Sequence, residues 1–123
     1  MRRSLTLGFF AAAAVASGCG APGDPVGWVD SLSFVQSNAV AGEQYDYSCP
    51  GGGMTGAPVW GSDVYTDDSA ICPAAVHAGK INTYYGGTAA IEVLSGQPSY
   101  TGSARNGVSS LDHGLWTRSF RFR

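Results

Sequence analysis

Residues Tyr65 to Gly79 read YTDDSAICPAAVHAG, and this stretch decides the fold. Ile71, Ala74, Ala75 and Ala78 stand at i, i+3, i+4 and i+7, the spacing of one helix face. Asp67, Asp68 and Ser69 precede that face, where side-chain oxygens and negative charge suit the free amides of a helix start. Gly79 follows it, at the place where a left-handed residue closes a helix. Pro73 is compatible only with a helix that starts near Ala70 or Ile71, so that the proline falls in the first turn. A stripe made mostly of alanine lets other elements approach closely. The stretch predicts a short, close-packed helix.

Around it the pattern is mostly β. Leu32 and Phe34 alternate with Ser31 and Ser33, and Tyr45 and Tyr47 alternate with polar neighbours. Gly51 to Gly53 must be loop; it lacks the lysine and the strand-loop-helix setting of a phosphate-binding loop and reads as a turn. Ala89, Ile91 and Val93 form the buried side of a strand that ends at Ser95 to Pro98. Asn106-Gly107 is a tight-turn pair. Trp116, Phe120 and Phe122 share one parity of a last strand, Arg121 and Arg123 the other. Arg118 falls on the aromatic parity, which implies a bulge or an exposed end.

The N-terminus sets the compartment. Arg2 and Arg3 precede the apolar run Leu5 to Ala16, too short for an ordinary membrane-spanning helix and consistent with a signal peptide over residues 1–18. Ala16-Ser17-Gly18-Cys19 is similar to a bacterial lipobox, which makes Cys19 the lipidated (palmitate-type) first residue of the mature chain. The alternative is ordinary cleavage nearby with an unmodified cysteine. Residues 19–27, CGAPGDPVG, read as a Gly/Pro tether before a domain over residues 28–123. The expected location is the bacterial cell envelope, at the outer membrane or cell surface, with a secreted form as the alternative. Gly20 lacks the aspartate that often retains lipoproteins at the inner membrane.

Without the signal, five Lys and Arg stand against nine Asp and Glu. Such a balance does not suit a general nucleic-acid binder. Cys49 and Cys72 are the remaining thiols, and in an oxidising compartment they are expected to form one disulfide. A zinc site is the sharper alternative, but no suitably spaced histidine pair accompanies them.

CPGGG, VWGSDVYTDDSAICPAAVHAG, SYTGSARNGVSS and a terminal SFRF together resemble the LCCL domain, over about residues 45–123. Trp60, Gly61, Tyr65, Ser69, His77, Gly79, Asn106 and Gly107 carry the likeness. The resemblance implies an α+β fold in which a central short helix is wrapped by antiparallel β-sheet. It also implies an extracellular, non-enzymatic module linked to binding microbial surface molecules or to host defence. The cysteines depart from the family pattern. Gly53 stands where a second cysteine of a CPxxC motif would be, and that missing residue is the family partner of Cys72. A Cys49–Cys72 bridge then requires a local shift, which the Pro50–Gly53 loop would absorb.

Ser69, His77 and Asp67 tempt a hydrolase reading. Eight helical positions separate Ser69 from His77 by about 12 Å, too far for a hydrogen bond. His77 reads as a structural imidazole on the flank of the stripe, with a ligand role, alone or with His113, as the alternative. Lys80, Arg105, Arg118, Arg121 and Arg123 form a possible anionic-ligand patch, or else a solvated strand edge whose charge blocks pairing. Tyr84, Tyr85 and Tyr100 are either sugar-stacking platforms or core. The functional expectation is a lipid-anchored binding module for a surface glycan, lipid or envelope protein. A structural or protein-interaction module without a soluble ligand is the second reading, and a hydrolase the remote one. No catalytic residue, metal or cofactor is expected.

Overall fold

The computed structural model describes residues 23–123; the signal region and Cys19 lie outside the described residues. Its elements are β1 (Asp24–Pro25), α1 (Leu32–Val35), β2 (Gln44–Cys49), β3 (Gly61–Ser62), β4 (Val64–Thr66), α2 (Ile71–His77), β5 (Gly87–Gln97), β6 (Ala104–Arg105), β7 (Val108–Ser109) and β8 (Trp116–Phe122). Six strands form one sheet in the order β1-β2-β5-β8-β4-β3, and β6 and β7 form a separate hairpin. All pairings are antiparallel except β1 with β2, which makes the sheet mixed. Within the segment expected as a tether, Asp24 and Pro25 pair with Tyr47 and Ser48.

All seven residues of α2 are buried, not only the predicted stripe. The inner sheet face supplies Tyr65, Ile91, Val93 and Phe120, all fully buried, against one side of the helix. The β6–β7 hairpin and the surrounding loops close the rest. Each of these large apolar side chains contributes about 1.5–3 kcal/mol by burial. The alanines let the backbone come close enough for that enclosure.

The ends of α2 divide into one that matches expectation and one that does not. Gly79 has φ +78°, its N–H donates to the Val76 carbonyl, and Lys80 N–H donates to Ala75. This paired closure needs a left-handed residue, and glycine adopts it without strain. At the start no side chain caps the helix. Ala70 N–H donates to the Pro58 carbonyl and Ile71 N–H to Asp30, so neighbouring loops do what Asp67, Asp68 and Ser69 were expected to do. Pro73 sits in the first turn, where a missing N–H costs no intrahelical bond.

Two other expectations are corrected. Residues 32–35 form a helical turn and not a strand, because Ser31 Oγ accepts from Phe34 N–H and starts one. The β5–β8 register runs without a bulge from Ile91 opposite Phe122 to Gln97 opposite Trp116. Arg118 keeps the aromatic parity because a buried carboxylate, that of Asp67, meets it there.

Cys49 and Cys72 form a disulfide with Cα atoms 5.9 Å apart. It joins the last residue of β2 to the first turn of α2, and β2 stays in register through Cys49 opposite Gly87. A Cβ on Gly53 would fall 1.8 Å from the Trp28 indole. That indole, whose Nε1–H donates to the Pro50 carbonyl at 2.8 Å, packs over the place of the missing cysteine.

Replacing Cys49 and Cys72 together by alanine is expected to cost about 3 kcal/mol, seen as a lower urea midpoint, because the bridge closes a loop of moderate length. Gly53→Ala is expected to cost about 1–3 kcal/mol in the same assay, since the methyl group displaces the indole.

Candidate functional site

The family-motif residues fall into two groups: Tyr65, His77, Gly79, Asn106 and Gly107 at the C-terminal end of α2, and Trp60, Gly61 and Ser69 by its start. His77 is fully buried. Its Nε2 lies 3.0 Å from the Ser103 carbonyl, which can only accept, so Nε2 carries the proton. Nδ1 then accepts from the Tyr65 hydroxyl at 2.9 Å. The two rings meet edge to face, 5.6 Å apart. Asn106 Nδ2 donates to the His77 carbonyl, fastening the Asn106-Gly107 turn to the helix end. Asn106 and Gly107 both have positive φ, 52° and 81°, as the tight hairpin turn requires.

Ser69 Oγ accepts from Trp60 N–H at 2.9 Å and lies 2.9 Å from Thr66 Oγ1. Gly61 has φ +103°, and a Cβ there would meet the Val64 carbonyl at 2.3 Å. Ser69 and His77 are thus each occupied by structural partners, and neither faces the other. Asp67 is buried and accepts from Trp116 Nε1 and Arg118 Nε, both at 2.6 Å. Arg118 also donates to the carbonyls of Ser37 and Ala39. This buried ion pair ties the 37–39 loop, the α2 approach and β8 together. Ion pairs of this kind are held by geometry and full hydrogen bonding.

The five cations of the predicted patch do not form one surface. Arg118 is committed to Asp67, and Arg123 pairs with Asp46. Lys80 and Arg121, with Asp63, Val64, Ala78 and Phe122, line a recess of about 330 Å³. Arg105 reaches the same Asp63, with Nη1 at 2.7 Å from Oδ1. The Arg105 guanidinium holds the Asp63 carboxyl below its usual range. Arg121 Nη2 lies 2.8 Å from Glu92 Oε1, its cross-strand neighbour. Among the described residues Lys80 makes no ion pair.

Two further concavities escaped the sequence reading. Ser62, Gln97, Ser99, Thr101 and Arg105 line a polar groove on the other side of the β3–β4 hairpin. Trp28, Val29, Met54 and Pro58 line an apolar one. Both are assembled from distant loops, so no local spacing announces them. Tyr84 and Tyr85 are exposed, whereas Tyr100 is buried with its hydroxyl 2.6 Å from Ser119 Oγ.

His77→Ala removes the partner of Tyr65 and the donor to Ser103 and leaves a cavity, so a loss of at least about 3 kcal/mol is expected in urea unfolding. Alkaline pH should also destabilise the fold. Burial pushes the Tyr47 hydroxyl up to about 12 from its ordinary value of 10, and burial also raises Tyr65. The folded state thus holds these protons more tightly, so their stabilising contribution is complete below the unfolded value. For Tyr47 it disappears as pH rises from about 10 through about 12. Tyr47 Oη has no hydrogen-bond partner among the described residues. Tyr47→Phe should therefore keep neutral-pH stability and delay the alkaline loss, measured as urea midpoints across that range.

The profile of the LCCL domain matches residues 28–120. Human vitrin is 36% identical over 87 residues, 70% of this chain and 13% of vitrin. Clotting factor C of Tachypleus tridentatus is 38% identical over 84 residues, 66% of this chain and 8% of that protein. Mouse cochlin is 36% identical over 88 residues, 71% of this chain and 16% of cochlin. The chain spans a small part of the length of these relatives. Its central helix, its motif residues and the match over most of its length place the chain in the LCCL domain family.

Proposed function

We propose that this LCCL domain is a non-enzymatic, extracytoplasmic binding module, anchored through a lipidated Cys19, that takes an anionic group of a surface glycan or lipid. The recess beside Asp63 carries this reading. Lys80 after α2 and Arg121 on β8 come together there from two separate elements, and Arg105 on β6 pairs with the Asp63 at its edge. Lys80 has no acidic partner among the described residues, and Arg121 shares its guanidinium with a single carboxylate oxygen. A phosphate or carboxylate entering the recess would gain charge-assisted hydrogen bonds from both. The non-enzymatic part rests on His77 and Ser69, whose polar atoms are all engaged in holding the fold.

The test is retention of the mature chain, carrying Cys19→Ser, on arrays of anionic and neutral glycans and lipid headgroups. Binding to anionic members is expected, weakened by salt because the contacts are half exposed. Lys80→Ala and Arg121→Ala should each reduce affinity about tenfold, the worth of one charged hydrogen bond. No binding to any anionic member, or binding indifferent to both substitutions, overturns the site. Intact mass of the membrane-extracted chain tests acylation of Cys19 separately.

A further inference from the structure

The β3–β4 hairpin separates two concavities that share a wall. Val64 lines both the recess at Lys80 and Arg121 and a polar groove of about 400 Å³ at Ser62, Gln97 and Thr101. One ion pair spans them, with Asp63 on the recess and Arg105 on the groove. Both partners are exposed, so the pair is a weak boundary. It also neutralises the one carboxylate that lines the recess, which keeps the recess cationic.

The groove is built on a braced loop. Tyr100 and His113 exchange backbone hydrogen bonds of 2.8 and 3.0 Å. The buried Tyr100 hydroxyl lies 2.6 Å from Ser119 Oγ and accepts from Gln97 N–H at 3.0 Å. Gly102 N–H donates to Asp112 Oδ1 at 2.7 Å, and Ser103 N–H donates to Ser110 Oγ at 2.9 Å. Ser62 Oγ donates to the Thr101 carbonyl at 2.9 Å, which fastens the loop to the hairpin. A wall fixed in this way loses little freedom when a ligand arrives.

The polar groups that the brace does not use face a common space. Among the described residues, Gln97 Oε1, Ser99 Oγ and Thr101 Oγ1 have no hydrogen-bond partner. Arg105 meets Asp63 through Nη1 at 2.7 Å and through Nη2 at a long 3.5 Å, and its Nε–H has no partner among them either. Ser99, Thr101 and Arg105 are exposed, and Gln97 is half-buried. The free set is therefore an amide acceptor, two hydroxyls that donate or accept, and a guanidinium donor. That mixture of neutral donors and acceptors suits the adjacent hydroxyls of a sugar. It does not suit a nucleobase, because the one ring lining the groove, Tyr100, is buried and gives no stacking platform.

We propose that the recess and the groove form one site for an acidic oligosaccharide. The charged sugar places its anion between Lys80 and Arg121, and a neutral neighbour lies across Val64 against Gln97, Thr101 and Arg105. The inference deepens the recess reading above and rests on it. A simple phosphate or carboxylate fills only the recess.

The test is NMR titration of the isotope-labelled full chain with five probes. These are inorganic phosphate, glucuronic acid, glucose 6-phosphate, and two disaccharides that join each acidic sugar to a neutral one. The disaccharides should bind about fivefold more tightly than their monosaccharides, the worth of one neutral hydrogen bond. They should shift the Thr101 and Gly102 amides and the Gln97 side-chain amide, whereas phosphate and the monosaccharides shift only signals around Lys80 and Arg121. Gln97→Leu and Thr101→Val should each remove the disaccharide advantage and leave monosaccharide affinity unchanged. Thr101 is exposed, so its variant keeps the urea midpoint and carries the test even where Gln97→Leu weakens the fold. Recess signals that move with no gain from the second sugar, or a gain indifferent to Thr101→Val, overturn the joined site and leave the recess reading intact. Recess signals that move with none of the five probes overturn both.

Discussion

The hydrogen bonds of His77 join parts of the chain that lie far apart in sequence. Tyr65 from the sheet and Ser103 from the loop before β6 meet on one imidazole at the end of a completely buried helix. Such a helix tolerates no loose polar end, because an unpaired buried group costs about 1–3 kcal/mol. The closure at Gly79, the Asn106 bond to the His77 carbonyl and the loop carbonyls at Pro58 and Asp30 all answer that demand. Most of the motif residues are intelligible as parts of this one enclosure. Their chemistry is that of fixed donors and acceptors, and it leaves no free base or nucleophile among them.

The enclosure also explains how the domain manages with one disulfide. Cys49 and Cys72 clamp β2 to the start of the helix. Where a second cysteine would stand, Gly53 admits the Trp28 indole, which seals the CPGGG loop by packing and by its bond to Pro50. A covalent staple limits the unfolded chain, whereas an aromatic lid acts through burial in the folded one. The exchange carries a consequence for the surface. Trp28 brings Val29 with it, beside Met54, and the loop that closes one side of the core presents an apolar face to solvent.

The surface thus carries two unlike regions, a cationic recess at the Lys80 and Arg121 edge and the apolar groove at Trp28 and Met54. Two further arginines are held in ion pairs: Arg118 with Asp67, Arg123 with Asp46.

By itself the sequence determined the helix, its left-handed closure, the turn at Asn106-Gly107, the main strands and the family. These follow from spacing of three and four, from alternation of two, and from residue types whose backbone preferences act locally. Only the tertiary structure decided which partner each polar group takes. Asp67, Asp68 and Ser69 satisfy every local rule for capping, yet Asp67 turns to Arg118 and Trp116 on β8 and Ser69 to Trp60, because loop carbonyls already occupy the helix start. The same holds for the surfaces. Lys80 and Arg121, like Trp28 and Met54, are far apart along the chain, and their grouping depends on sheet register and loop closure that no local pattern encodes.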